Sequence, residues 1–266
     1  MNTPKEPRPA VVVTGASGGI GREIAKVAAR EGGPVVLVAR SGDALAEAAE
    51  EVRRAGGQPF TLALDLMPAG APAEVSGFLA QEGLYCAVLV NNAGYGLLGA
   101  AATLSREDQL GIIDLNVRAL ADLTLRLLPG MVARRTGGII NLGSVAGFLP
   151  GPYMALYYAS KAFVRSFSEA LSEEVRGTGV TVTCVAPGPV ATKFLARAGA
   201  GRARLFNILP KVTAEMVAES AWRGFRHGRR MVVPGTMASL SAYGGAYLPH
   251  ALTLRAVARL QRGDNS

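Results

Sequence analysis

Short apolar runs alternate with longer helical stretches along almost the whole chain of 266 residues. Segments 10–14, 35–39, 60–64, 87–91, 138–142, 180–186 and 231–234 read as strands. Several are apolar on both faces, as strands buried in a parallel sheet must be. Helical patterns fall between them, near 20–31, 43–55, 72–82, 106–135, 155–176 and 213–227. The alternation implies right-handed β-α-β crossovers. It predicts an α/β fold: one doubly wound parallel sheet of about seven strands, with helices on both faces. No linker or internal repeat interrupts it, so 1–266 is expected to form a single domain.

Ligands of such sheets bind outside the carboxyl ends of the strands. Residues with useful chemistry fall at those ends. Thr14 and Gly15 follow the first strand, Arg40 the second and Asp65 the third. Asn91 and Asn92 close the fourth, Ser144 follows the fifth, and Pro187 and Gly188 follow the sixth.

Composition narrows the chemistry. An apolar share of 49% excludes a disordered chain. Cys86 and Cys184 sit in apolar runs and read as small buried hydrophobes. The only histidines are His227 and His250, too few for a His-based zinc site, and no metal is expected. Segment 1–9 is polar with three prolines and lacks the apolar stretch of a signal peptide, so a cytoplasmic location is expected. The net charge of +8 comes from arginines that are scattered and not interleaved with aromatics. Nucleic acid is therefore not an expected partner, and an anionic cofactor or substrate fits better.

The first strand-to-helix turn runs Thr14-Gly15-Ala16-Ser17-Gly18-Gly19-Ile20-Gly21. Glycines let the backbone approach a pyrophosphate closely, and the following helix offers free N–H groups and a positive dipole end. Gly15, Ser17, Gly18, Gly19, Ile20 and Gly21 are the expected phosphate-side contacts. About 20 residues on, an NAD-binding chain usually carries an acid for the ribose 2′-hydroxyl. Ala39 stands there instead, followed by Arg40 and Ser41. A guanidinium pairs with a 2′-phosphate, and Ser41 can add a hydroxyl donor, so NADP(H) is expected over NAD(H).

Tyr157 and Lys161 are four apart in a helical pattern and so share one helix face. An unperturbed phenol titrates near ~10, too high for acid–base work at neutral pH. An ammonium at ~4 Å and an effective dielectric of ~20 contributes roughly 4 kcal/mol toward the phenolate, or about three pKa units at most. Tyr158 is next door but lies about 100° around the helix, as a pocket wall or core residue.

The motif T-G-x-x-x-G-x-G, Asn91-Asn92-Ala93-Gly94, Asn116, Ser144, Tyr157-x-x-x-Lys161 and Pro187-Gly188 occur here in one order. Together they resemble the short-chain dehydrogenase/reductase family from residue 9 to about 192. The resemblance implies a Rossmann-like fold and an oxidoreductase. Hydride would pass between NADP(H) and a carbonyl or alcohol, with Tyr157 as general acid/base, Ser144 holding the substrate oxygen and Lys161 holding the nicotinamide ribose. It implies that Asn116 bends its helix and holds a water that relays protons to Lys161. Asp65 would meet the adenine amino group, and Leu66 would supply a backbone contact. Asn91 and Ala93 would lie along the ribose, with Gly94 beside them among the cofactor contacts. Pro187, Gly188, Val190 and Thr192 resemble the family's P-G-x-x-x-T and would grip the nicotinamide.

Segment 189–212 reads as the substrate loop, with apolar Phe194, Leu195, Leu205 and Phe206 among basic Arg197, Arg202 and Arg204. Tyr95, Phe194 and 148–152 are expected to line the substrate mouth beside Ser144 and Tyr157, and an apolar substrate fits. Segment 236–254 carries no Lys, Arg, Asp or Glu, but its serines, glycines and Pro249 make a poor membrane span. A cover over the pocket or a subunit interface in a homodimer or homotetramer is expected there. Two alternatives stand beside the reductase. One is a catalytically silent NADP(H)-binding sensor. The other is a lipid or steroid reductase that touches a membrane peripherally.

Overall fold

The computed structural model describes residues 6–192, 194, 212–235 and 250–261. Seven parallel strands form one sheet in the order β3-β2-β1-β4-β5-β6-β7. They are β1 Arg8–Thr14, β2 Pro34–Ala39, β3 Gln58–Ala63, β4 Leu84–Asn91, β5 Gly138–Leu142, β6 Thr181–Val185 and β7 Met231–Val232. The order reverses between β1 and β4, which opens a crevice at their carboxyl ends.

Helices cover both faces because the strands are apolar on both. Val13, Leu37 and Ala39 face one side, where they pack with α1 (Gly19–Ala29), α2 (Gly42–Arg54) and α7 (Ala214–Arg226). Val12, Val36 and Val38 face the other, with α3 (Ala71–Gln81), α5 (Leu120–Arg134) and α6 (Ala155–Glu174). Every residue of β2 is buried. Full burial of a Val or Leu side chain is worth roughly 1.5–3 kcal/mol, so β2 is a main anchor of the sheet.

Helix starts follow local chemistry. Ser41, Ser105 and Thr213 cap α2, α4 (Arg106–Ile113) and α7, each hydroxyl accepting from the N–H three residues on. The helix expected over 106–135 is not continuous. A π-helical turn, Asp114–Ala119, separates α4 from α5. Asn116 lies in that turn, buried, and its side chain bonds outside its own helix. One extra residue in a turn lets it reach sideways without breaking the ladder.

Strand ends also shift from expectation. β1 and β4 each begin earlier, since Arg8 pairs with Leu84 and Pro9 with Tyr85, across a register irregularity at Ala10/Val11. β7 stops at Val232. Most of segment 236–254 lies outside the described residues; α8, His250–Gln261, begins within it. Among the described residues no helix is long and apolar enough to cross a membrane, and no cluster of side chains suits a metal.

Candidate active site

A continuous cleft of about 1170 Å³ runs along the carboxyl ends of the strands. Its phosphate end is built on the turn after β1. Gly15 and Gly19 hold φ of 65° and 56°, the left-handed region that disfavours a side chain. Gly21 is required for a different reason: a Cβ there would lie 2.5 Å from the Gly15 carbonyl oxygen. Gly18 is the opposite case. It is extended, lines the cleft, and a Cβ on it would meet no protein atom within 4 Å. No side chain caps α1, so its first N–H groups are left for a ligand in front of Gly18. This cradle fits a pyrophosphate.

The turn is held by Thr14 and Asn92, which the sequence places at strand ends without a role of their own. Thr14 Oγ1 accepts from the N–H groups of Asn92 and Ala93, both at 3.0 Å, and donates to the Val90 carbonyl. Asn92 Nδ2 donates to the carbonyls of Thr14 and Gly15 at 2.9 and 3.1 Å. These bonds tie the ends of β1 and β4 together where the strand order reverses. A threonine ending a strand carries no signal of this, because its partners lie some 78 residues away.

The side chain of Asn91, a residue expected along the cofactor ribose, does not line the cleft. The amide points under the sheet, donating to Thr124 Oγ1 at 3.0 Å and Asn141 Oδ1 at 2.9 Å. Successive strand residues face opposite sides, and here it is Asn92 that turns to the cleft. Ala93, Gly94 and Leu66 do line it.

At the adenosine end, Ala39, Arg40, Ser41 and Asp65 all line the cleft. Arg40 is exposed and has no carboxylate within ion-pair reach among the described residues. Arg22, the neighbouring guanidinium, is committed to Glu47 and Glu51. Ser41 Oγ accepts from the Ala44 N–H as the cap of α2, which leaves its proton to donate. Asp65 Oδ1 accepts from the Met67 N–H in a local turn.

Tyr95, expected at the substrate mouth, lines the cleft and is held from two sides. Its backbone is clamped by Asn116: the Tyr95 N–H donates to Oδ1 at 3.0 Å, and Nδ2 donates to the Tyr95 carbonyl at 2.9 Å. Its hydroxyl donates to the Asp108 carbonyl at 2.6 Å. Burial, then Asp108 and Asp114, push its phenol up, and Arg40 opposes them. The hydroxyl end of the ring therefore lies against α4, beside Gly111. Its neighbour Gly94 packs on the same asparagine, since a Cβ there would crowd Asn116 Oδ1 at 2.9 Å.

At the other end, α6 presents Tyr157 and Lys161 on one face, both buried at 9% and 8% exposure. Ser144 stands beside them at the head of a short 3-10 turn, Val145–Phe148. Its Oγ accepts from the Ala146 N–H at 3.1 Å, so its own O–H is left to donate on the Tyr157 side. Lys161 makes no hydrogen bond to Tyr157 among the described residues. Its Nζ lies 5.9 Å from the Tyr157 ring centroid and donates to the Leu142 carbonyl at 2.6 Å. Burial dominates both groups. It pushes the Tyr157 phenol up to about 12, with the Ser144 hydroxyl opposing, and pulls the Lys161 ammonium down to about 8, with Cys184 opposing. The phenol is a proton donor in this state, not the stabilised phenolate that a nearer ammonium would make.

Asn116 Nδ2 also donates to Ser160 Oγ at 3.1 Å, and Ser160 Oγ donates to the Tyr157 carbonyl at 2.7 Å. The π-turn is thus tied to α6 at Ser160, the residue before Lys161. Phe194 packs on Tyr157, ring centroids 5.5 Å apart. Thr192 stands close against Gly19, and Val190 forms a parallel bridge with Val212. Pro187, Gly188 and Val190 line the cleft. Residues 193 and 195–211 of the expected substrate loop lie outside the described residues.

A family model described as short chain dehydrogenase matches residues 9–203. A very-long-chain 3-oxoacyl-CoA reductase of Laccaria bicolor is 40% identical over 174 residues, 64% of this chain and 52% of its own length. The chain thus spans about half of that relative. Sulfoacetaldehyde reductase 2 of Chromohalobacter salexigens is 38% identical over 215 residues, covering 79% of this chain and 85% of its own. Among solved structures, a short-chain dehydrogenase from Sphingobium yanoikuyae in complex with NADPH superposes with a TM-score of 0.79 at 33% identity. That match covers 90% of this chain and 93% of the other.

Proposed function

The chain belongs to the short-chain dehydrogenase family, and on that premise we propose that it is an NADP(H)-dependent oxidoreductase of carbonyl and alcohol substrates. One observation carries the reading. Tyr157, Ser144 and Lys161 stand at one end of the same cleft whose other end holds the glycine turn and an Arg40 with no ion pair among the described residues.

When bound, the cofactor supplies or accepts a hydride at its nicotinamide ring; the protein does the rest. Tyr157 donates its proton to the substrate oxygen in the reductive direction and takes it back in the oxidative one. Burial keeps the phenol protonated before the substrate oxygen becomes basic. Ser144 donates its O–H to the same oxygen as negative charge grows there. Lys161 is held by the Leu142 carbonyl, and two ammonium protons remain for the ribose hydroxyls. Asn116 secures the turn packed against Ser160, and a water held near its backbone would return a proton to Lys161. Arg40 and Ser41 would receive a 2′-phosphate, and Ala39 supplies no competing carboxylate. Relatives named as reductases support the reductive direction.

The test is Tyr157→Phe, assayed with NADPH across a panel of ketones, aldehydes and thioesters. Turnover should fall by about 10²–10⁴-fold, the usual worth of a positioned acid, while NADPH binding followed by fluorescence stays within about two-fold. Retained turnover would reject the assignment.

A further inference from the structure

The last residue of α8 reaches back 103 positions to the helix that carries Tyr157. Gln261 Nε2 donates to the Tyr158 hydroxyl oxygen at 2.7 Å. Gln261 is 2% exposed, on a helix that otherwise offers exposed Leu254, Arg255 and Arg259. A buried amide is costly unless it is paired. Only half of this one is, because Oε1 has no partner among the described residues. A half-satisfied buried group calls for a reason beyond stability.

Tyr158 supplies one. Its ring lines the cleft and stands edge-on to the Tyr157 ring, centroids 6.1 Å apart. Gly151 lies flat against it, and a Cβ at that position would enter the ring. The ring is thus fixed on one side by Gly151 and at its oxygen by Gln261. Because that oxygen accepts from Gln261, the Tyr158 proton is left over. Tyr158 donates no hydrogen bond among the described residues. Burial pushes its phenol well above the ordinary value, so the proton stays on at any working pH.

We propose that Tyr158 is a specificity-determining residue, positioned by Gln261, whose O–H bonds a second oxygen of the substrate beside the carbonyl served by Tyr157. The inference rests on the hydride-transfer reading above. It narrows the substrate from any apolar ketone to one with a further acceptor near the reacting centre, such as an oxo ester or oxo thioester.

The experiment compares wild type, Tyr158→Phe, Gln261→Leu and the double variant on two ketones of equal chain length, a 3-oxo ester and the alkanone lacking the ester. The ratio of kcat/KM, ester over alkanone, should fall about ten-fold in Tyr158→Phe, mainly through KM, as expected for one lost hydrogen bond. Gln261→Leu should lower it less, and the double variant no further than Tyr158→Phe. An unchanged ratio in Tyr158→Phe overturns the proposal, since a merely structural tyrosine would lower both substrates alike. Calorimetry on the NADP⁺-saturated proteins, with the hydroxy ester and the matching alkanol, gives a readout without turnover. Ester-selective binding lost in Tyr158→Phe supports the proposal even if wild type reduces neither ketone, a result that would reject hydride transfer instead. No binding preference in wild type overturns the role of Tyr158.

Discussion

Lys161 gives its buried ammonium to the carbonyl oxygen of Leu142, at 2.6 Å, while its Nζ stays 5.9 Å from the centre of the Tyr157 ring. The bond joins the catalytic face of α6 to the end of β5. It sets where the charge sits before any ligand arrives. A buried ammonium with a single protein acceptor holds its proton weakly, and that has a consequence for stability.

Burial lowers Lys161 from 10.5 to about 8. Between those values the unfolded chain keeps a proton that the folded chain has released. Folding stability contributed by this group therefore rises with pH across about 8 to 10.5, by about 3 kcal/mol at most. Tyr157, raised from 10.0 to about 12, and the buried thiols Cys86 and Cys184 act in the opposite sense above pH 9. The difference between wild type and Lys161→Met isolates the lysine. Urea unfolding from pH 7 to 10 should show Lys161→Met more stable at pH 7, with the advantage shrinking as pH rises. An advantage independent of pH would refute the assignment.

Two glycines of the same turn should separate folding from binding. Gly18→Ala adds a methyl that meets no protein atom and suits the extended backbone. Its melting temperature should hold while NADPH affinity drops about ten-fold, because the methyl stands where phosphate oxygens approach. Gly21→Ala drives a methyl to 2.5 Å from the Gly15 carbonyl oxygen. It should lose about 1–3 kcal/mol of stability as well as affinity. Thermal melts and NADPH titrations on both variants check the contrast.

Cofactor choice should turn on Ala39 and Arg40. Removing the guanidinium in Arg40→Ala should weaken NADPH by about 2 kcal/mol and leave NADH nearly unchanged, as for a lost charge-assisted contact. Ala39→Asp places a carboxylate where it repels the 2′-phosphate and accepts from a 2′-hydroxyl. The double variant should prefer NADH. Ratios of kcat/KM for the two cofactors, measured at fixed salt, decide it.

Thr14→Val keeps the shape of a buried side chain and removes its oxygen. The N–H groups of Asn92 and Ala93 then lose their acceptor, at a cost of about 2 kcal/mol. Thr14→Ser should recover most of it. Denaturant unfolding of the three proteins tests the clamp, and equal stability of Thr14→Val and wild type would show that water replaces the hydroxyl.

Much of this molecule was legible in order along the chain. The strand-helix alternation, the glycine turn at Gly15–Gly21, and the residues at each strand's carboxyl end follow from periodicity and backbone freedom, which are local. So does the shared face of Tyr157 and Lys161, since four residues make one turn. What a spacing cannot carry is direction in space. Asn91 turned under the sheet toward Asn141, Tyr95 turned to Asp108, Lys161 turned to Leu142, and Gln261 came back to Tyr158. Each of these was decided by partners distant in sequence, and by the need of every buried donor to find an acceptor in a packed interior. The sequence by itself determined which groups reach the cleft's edge. The tertiary structure alone decided where their protons point, and burial decided whether those protons stay.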